Sequence, residues 1–166
     1  MPALPDLTPE IVDIFFRLVT AVLVGMVLGL NRDLKGKPSG ARTLGLVALG
    51  AAMVAIAGAN HPGMAGHPDA MSRVIQGIIQ GVMAGVGFIG AGMILHDRTT
   101  DTVRNLTTAA TVWVTAALGI ACGLAAWPVV WIAVGMALTV LLLGSAIERL
   151  VARLFGQPVA DRDARS

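Results

Sequence analysis

The segment of residues 74–95 contains no charged side chain and is rich in glycine and alanine. As an α-helix it would be about 33 Å long, because each residue adds about 1.5 Å, and this is enough to cross the roughly 30 Å hydrocarbon core of a bilayer. We interpret the segment as the central packing helix of a small integral membrane protein.

Glycine recurs along this segment at helical spacing. Gly77, Gly81 and Gly85 are four residues apart, and Gly92 returns to the same face one heptad later. A helix face without side chains lets a second backbone approach closely, which is how helices associate in lipid. The predicted helix-packing glycines are Gly25, Gly29, Gly77, Gly81, Gly85, Gly87, Gly90 and Gly92.

Gly85, Gly87 and Gly90 also match the dinucleotide-binding pattern GxGxxG. That pattern binds a nucleotide only where it joins a strand to a helix in a βαβ unit, with an acidic residue about twenty positions later. Neither condition is met here, and no serine or cysteine stands in a suggestive arrangement with a histidine. The sequence therefore predicts no catalytic residues, no metal site and no cofactor.

The composition supports a membrane protein. Hydrophobic residues make up 55% of the chain and charged residues 13%, whereas an ordinary soluble domain carries about 25% charged residues. No basic run has aromatic residues interleaved with it, so binding of nucleic acid is not supported. The expected surroundings of this chain are a lipid bilayer.

Five predominantly apolar segments are each long enough to be a transmembrane helix, and the first of them carries Asp13 and Arg17 near its outer end. The segment between residues 106 and 147 is too long for one crossing, and Pro128 suits the first turn of a second helix. The predicted fold is all-α and polytopic, with a transmembrane domain at 1–148 and a short cytoplasmic tail at 149–166. The predicted spans are residues 9–30, 43–59, 74–95, 106–126 and 128–147.

The distribution of basic residues predicts the orientation in the membrane. Only Arg17 and Arg73 would lie on one side. The other side would carry Arg32, Lys35, Lys37, Arg42, Arg98, Arg104, Arg149, Arg153, Arg162 and Arg165. Because cationic loops stay in the cytoplasm, we expect the N-terminus outside and the C-terminus inside a cytoplasmic membrane.

Polar residues collect at the predicted inner ends of the helices, and no Asp, Glu, Lys or Arg lies in mid-span. The candidate polar site comprises Asn31, Arg32, Asp33, Arg42, Thr43, Asn105, Thr107, Thr108 and Thr111. In a structural interpretation, Asn105 caps a helix and the threonines bond to their own backbone. In a functional interpretation, these groups converge on one site where Asp33 or Asp97 is available to a hard cation such as Mg²⁺.

Four motifs carry a family resemblance. They are GLNRD at residues 29–33, GKPSGARTL at 36–44, GVGFIGAG at 85–92 and VRNLTTAAT at 103–111. In this order and spacing they resemble the N-terminal membrane domain of the MgtC/SapB family, over roughly residues 14–145. Two positions depart from the family pattern: Asn31 stands where many members have Glu, and Asn105 where many have Gly.

The resemblance implies a multi-pass protein of the bacterial inner membrane, linked to adaptation at low Mg²⁺. Larger members add a cytoplasmic ACT-like domain, and we expect a short form without it. We expect a non-enzymatic homo-oligomer, with a dimer favoured, that modulates ion homeostasis, membrane transport or another membrane complex. The alternative is a small transporter or channel for a divalent cation such as Mg²⁺.

Overall fold

The structure is a computed structural model, and it describes residues 8–60, 68–97 and 102–154. Its helices are α1 (Pro9–Leu34), α2 (Ala41–Ala59), α3 (Pro68–Met93), α4 (Leu106–Gly123) and α5 (Trp127–Leu154). All five contain a segment long and apolar enough to cross a membrane. The prediction of an all-α fold with five spans is therefore confirmed.

A small antiparallel hairpin joins α3 to α4. Its strands are β1 (Leu95–Asp97) and β2 (Thr102–Arg104), with His96 paired to Val103. The polar residues of this segment predict only a connection between two spans. A two-stranded hairpin this short leaves the architecture all-α.

The helices extend further than the predicted spans at several ends. α1 continues through the polar residues after 30 to Leu34, α3 begins at Pro68 rather than 74, and α5 continues to Leu154. Hydropathy marks only the part of a helix that suits lipid, whereas the helix itself ends where the backbone turns. Of the predicted tail at 149–166, residues 149–154 are helical and the remainder lies outside the described residues.

Helices α3 and α4 end before the spans predicted for residues 74–95 and 106–126 do. α3 stops at Met93, where the chain enters the hairpin. α4 stops at Gly123 rather than 126, because Ala125 takes a left-handed backbone conformation with φ of 55°. This turn lets Pro128 occupy the first turn of α5, where its missing N–H costs no hydrogen bond.

The core of the bundle is formed by α4 together with α2 and α1. α4 is the most buried of the five helices, and its glycines lie against the backbone of α2. A Cβ at Gly119 would overlap the carbonyl oxygen of Ala48, and one at Gly123 would stand 2.7 Å from that of Ala52. The two helices therefore approach more closely than side chains at these positions would allow.

α1 and α2 meet through a second pair of glycines. A Cβ at Gly25 would overlap the carbonyl oxygen of Leu44, and one at Gly29 would overlap Ala41 at the start of α2. Leu28, between these glycines, is fully buried. The predicted packing positions Gly25 and Gly29 thus lie in a contact within the chain.

The expectation that α3 is the central packing helix is wrong for the single chain. Among the described residues, no atom lies within 4 Å of a Cβ built at Gly77, Gly81, Gly85, Gly87 or Gly92. Gly90 alone of the predicted α3 positions is buried, with Ala109 nearby. The bare face of α3 looks away from the bundle because α4, with its own glycines, already occupies the centre.

Candidate functional site

One end of the bundle gathers the charged turns, and we call it the basic end. It carries Lys35, Lys37 and Arg42 around the α1–α2 turn, where Gly36 and Ser39 both have φ of 62°. The end of α3 meets this turn, where Ser39 Oγ donates to the sulfur of Met93 at 3.8 Å. Lys35 Nζ donates a 2.9 Å hydrogen bond to the carbonyl of Leu141 in the middle of α5.

Arg32 of α1 is the most unusual residue at the basic end. Its side chain is only 4% exposed, and its guanidinium Nη2 donates a hydrogen bond to the hydroxyl of Thr108, which is 1% exposed. Its Nε has no hydrogen-bond partner in the part of the chain that the structure describes. Among the described residues, no carboxylate forms an ion pair with Arg32.

Asn31 precedes Arg32 on the buried face of α1 and is 8% exposed. Its amide Nδ2 is also buried, and no described residue is its hydrogen-bond partner. Buried polar groups in proteins are nearly always hydrogen-bonded, so two unpartnered donors on consecutive residues need an explanation. Both donors belong to the candidate site that the sequence predicted.

Asp33 serves the backbone of the neighbouring helix. Its Oδ2 accepts a 2.8 Å hydrogen bond from the N–H of Ala41, the first residue of α2. The carboxylate reaches this position only because Gly40 has no side chain, since a Cβ there would overlap Asp33. Asp33 of α1 therefore caps the start of α2. This cap requires glycine at position 40, which the local sequence pattern does not indicate.

Asn105 occupies the N-cap position of α4 but does not cap it with its side chain. Its Nδ2 donates a 3.2 Å hydrogen bond to the carbonyl of Met93 instead. The backbone has φ of 64°, a conformation that glycine adopts freely and asparagine tolerates better than most residues. This backbone conformation accounts for asparagine at a position where the resemblance to the MgtC/SapB family implies glycine in many members.

Threonines on the buried face of α4 bond mainly to their own helix. Thr111 Oγ1 donates to the carbonyl of Thr107 at 2.7 Å, and Thr115 Oγ1 donates to that of Thr111 at 2.8 Å. These contacts agree with the structural interpretation of the threonines. Thr108 differs, because its hydroxyl accepts a bond from Arg32 of another helix.

The candidate residues therefore do not form one site. Asn31, Arg32, Thr108 and Thr111 are buried, whereas Arg42, Thr43 and Thr107 are exposed. Neighbouring positions on a helix point about 100° apart, so membership of the same helix end does not bring side chains together. The side chain of Asp97, the second carboxylate considered for a cation, lies outside the described residues.

The buried part of the site offers hydrogen-bond donors rather than cation ligands. In the described part of the chain no Asp or Glu is buried, and no group of three His, Cys, Asp or Glu residues is suited to a metal ion. A hard divalent cation takes six or more oxygen ligands. The arrangement of Asn31 and Arg32 suits a negatively charged ligand instead.

A second feature of functional interest is an apolar groove between α3 and α4. It has a volume of about 340 Å³ and is lined in part by Gly87, Gly90, Leu106 and Trp113. Gly87 and Gly90 lie roughly on the opposite side of α3 from Gly77, Gly81 and Gly85, because successive residues of a helix are about 100° apart. The groove is therefore a surface of α3 separate from the face formed by those three glycines.

Comparison with known proteins shows what the chain is similar to. The model of the MgtC family matches residues 18–150. Over 68% of this chain, the sequence is 46% identical to Protein SrpB of Synechococcus elongatus. It is 40% identical to Protein SapB of Bacillus subtilis over 67% of this chain, and 37% identical to Protein MgtC of Salmonella typhimurium over 64% of this chain.

The relatives are longer than the matched region. The alignments cover 64% of SrpB, 47% of SapB and 42% of MgtC, so the chain spans roughly half the length of these relatives. No solved structure matches the chain. The matched region contains the whole core of α1, α2 and α4 except the first turns of α1.

Proposed function

Because the chain belongs to the MgtC family, we propose that it is a non-enzymatic protein of the bacterial inner membrane that modulates ion homeostasis during adaptation to low Mg²⁺. It acts on a membrane transport system or another membrane complex rather than moving ions itself. The observation that carries this proposal is the glycine face of α3, which no other helix covers within residues 8–60, 68–97 and 102–154. Such a face gains more from a second helix than from lipid tails, because it allows close backbone contact.

The occupant of this face is a helix in the same membrane. A second copy of the chain fits the glycine spacing, so we favour a homo-oligomer, and a dimer first. The groove beside Trp113 offers a site for a helix of another membrane protein. Both contacts act within the lipid and need no cofactor.

The chemistry of the basic end supports a modulator over a cation transporter. The buried polar groups that the structure describes there are a guanidinium, an amide and threonine hydroxyls with no carboxylate among them, and Asp33 already binds the N–H of Ala41. A route for Mg²⁺ needs oxygen ligands that are not occupied in this way. Exposed Arg42 lies at the same end, where it is accessible to a partner protein.

Flux measurements on the purified protein in liposomes test the proposal. We expect Mg²⁺ entry no faster than in protein-free liposomes. The transporter alternative predicts entry that Asn105→Leu and Asp33→Ala both reduce. Flux with this dependence would overturn the modulator.

Co-purification from membranes tests the same proposal from the opposite direction. A modulator brings down a membrane partner, and Arg42→Ala weakens that association because it removes an exposed charge at the basic end. Arg73→Ala, which removes an exposed charge from the first turns of α3, serves as the matched control and retains the partner. Retention of the partner by both variants, or by neither, contradicts a role for the basic end.

A further inference from the structure

Arg32 lies where a positive charge is least favourable without a counter-ion. It is buried, it pairs with no carboxylate among the described residues, and its guanidinium contacts Thr108 in the first turn of α4. The N-terminal end of a helix carries a partial positive charge, so the helix repels the guanidinium instead of offsetting it. Arg32 itself lies in the last turn of α1, whose C-terminal end carries the opposite partial charge and offsets only part of this repulsion.

The first turn of α4 adds further donors to this position. The first N–H groups of a helix have no partner within the helix, and the side chain of Asn105 does not supply one. Asn31 Nδ2 and Arg32 Nε are likewise buried without partners. Every one of these groups is a donor, and an arrangement of this kind is completed by an acceptor that carries negative charge.

We propose that Arg32 and the N-terminus of α4 form a binding site for a phosphate-type oxyanion, with the buried, unpartnered amide of Asn31 as the adjoining donor on α1. The guanidinium presents parallel N–H groups that match two oxygens of such a group. The helix N-terminus provides backbone donors of the kind that bind phosphate in many proteins. The ligand is either a free phosphate or the phosphate of a lipid headgroup, since both present the same oxygens.

This inference goes beyond the proposed modulating function and does not depend on it. It requires only the contacts between α1 and α4 at the basic end. A protein that transported ions would carry the same site. Failure of the flux or co-purification experiments therefore leaves it untouched.

The test measures anion binding to the purified full-length chain. One arm titrates inorganic phosphate into protein in uncharged detergent and follows the heat of binding and the unfolding temperature, with chloride at matched ionic strength as the reference. The other arm uses native mass spectrometry after extraction from vesicles of phosphatidylcholine with and without phosphatidylglycerol. Retention of lipid would identify a lipid headgroup as the ligand, whereas binding of inorganic phosphate would identify the soluble ion as the ligand.

Arg32→Met is the decisive variant, because it keeps the length of the side chain and removes the charge. We expect Arg32→Met to reduce, by tenfold or more, the affinity for whichever probe the wild type binds. The control Arg73→Met makes the same substitution at an exposed arginine near the start of α3, and we expect it to change binding by less than twofold. Arg32→Lys keeps the charge without the paired N–H groups and gives an intermediate loss.

If Arg32→Met does not fold, Asn31→Leu tests the same site. It removes a buried donor that has no partner, so the ligand-free variant is at least as stable as the wild type, and its binding is several-fold weaker. The proposal is overturned if the wild type binds neither probe above the chloride reference. It is equally overturned if Arg32→Met, or Asn31→Leu in its place, binds as tightly as the wild type.

Discussion

The absence of a single Cβ at Gly119 sets the distance between α2 and α4. We expect Gly119→Ala to lower the free energy of unfolding by about 1–3 kcal/mol, since the added carbon meets the rigid backbone of Ala48 and the helices must shift. Titration of the solubilised protein with a denaturing detergent measures this loss.

The same change on α3 is the matched control for Gly119. Gly81→Ala adds an identical carbon where no described atom lies within 4 Å. Because alanine favours a helix over glycine by roughly 0.5–1 kcal/mol, we expect the monomer to be unchanged or slightly more stable. Equal losses at the two positions would contradict the packing described for α4.

Asp33 makes a second residue-scale prediction. Asp33→Ala should destabilise the protein by about 1 kcal/mol, because the N–H of Ala41 loses its acceptor. Asp33→Asn keeps an acceptor oxygen and should retain most of that stability. Thermal unfolding of the two variants in the same detergent separates them, and a loss of equal size in both would show that the carboxylate charge matters more than the cap.

Some of the candidate site could be predicted from sequence, and the reason is local. Arg32 and Thr108 were both expected at inner helix ends, because polar residues interrupt apolar segments there. Their pairing, and the use of Asp33 to cap α2, depend on how α1 lies against its neighbours. Nothing in the local pattern distinguishes buried Thr108 from exposed Thr107 until the partner helix is known.

At the scale of elements, the glycine pattern predicted packing faces but not their partners. Gly25 and Gly29 on α1 and the longer series on α3 have the same spacing, yet only the first pair meets another helix within the chain. The spacing of glycines shows only that one face of a helix lacks side chains. Whether a neighbour within the chain or outside it covers that face is decided by tertiary structure.

The α3 face gives a prediction about assembly. Gly81→Leu and Gly85→Leu together should shift the protein from oligomer to monomer, because two large side chains hold a second helix away. Cross-linking in native membranes measures the shift. Gly50→Leu, on an equally open position of α2, should leave the cross-linked species unchanged, whereas an unaltered oligomer in the α3 variant would exclude this face as the interface.

At the scale of the whole molecule, hydropathy and charge predicted the number of helices and the end on which basic residues collect. They could not predict that α4 is central and α3 peripheral, because all five segments are similarly apolar. The three-helix core of α1, α2 and α4 depends on where glycines of different helices coincide, as Gly119 does with Ala48.

The orientation expected from the basic residues places the basic end in the cytoplasm. The chain has one cysteine, Cys122, which is buried, so Cys122→Ala provides a background for single cysteines introduced at exposed Lys35 and exposed Asn60. In intact spheroplasts, a membrane-impermeant thiol reagent should label Asn60→Cys and leave Lys35→Cys unlabelled until the membrane is permeabilised. Labelling of Lys35→Cys in intact spheroplasts would contradict the account.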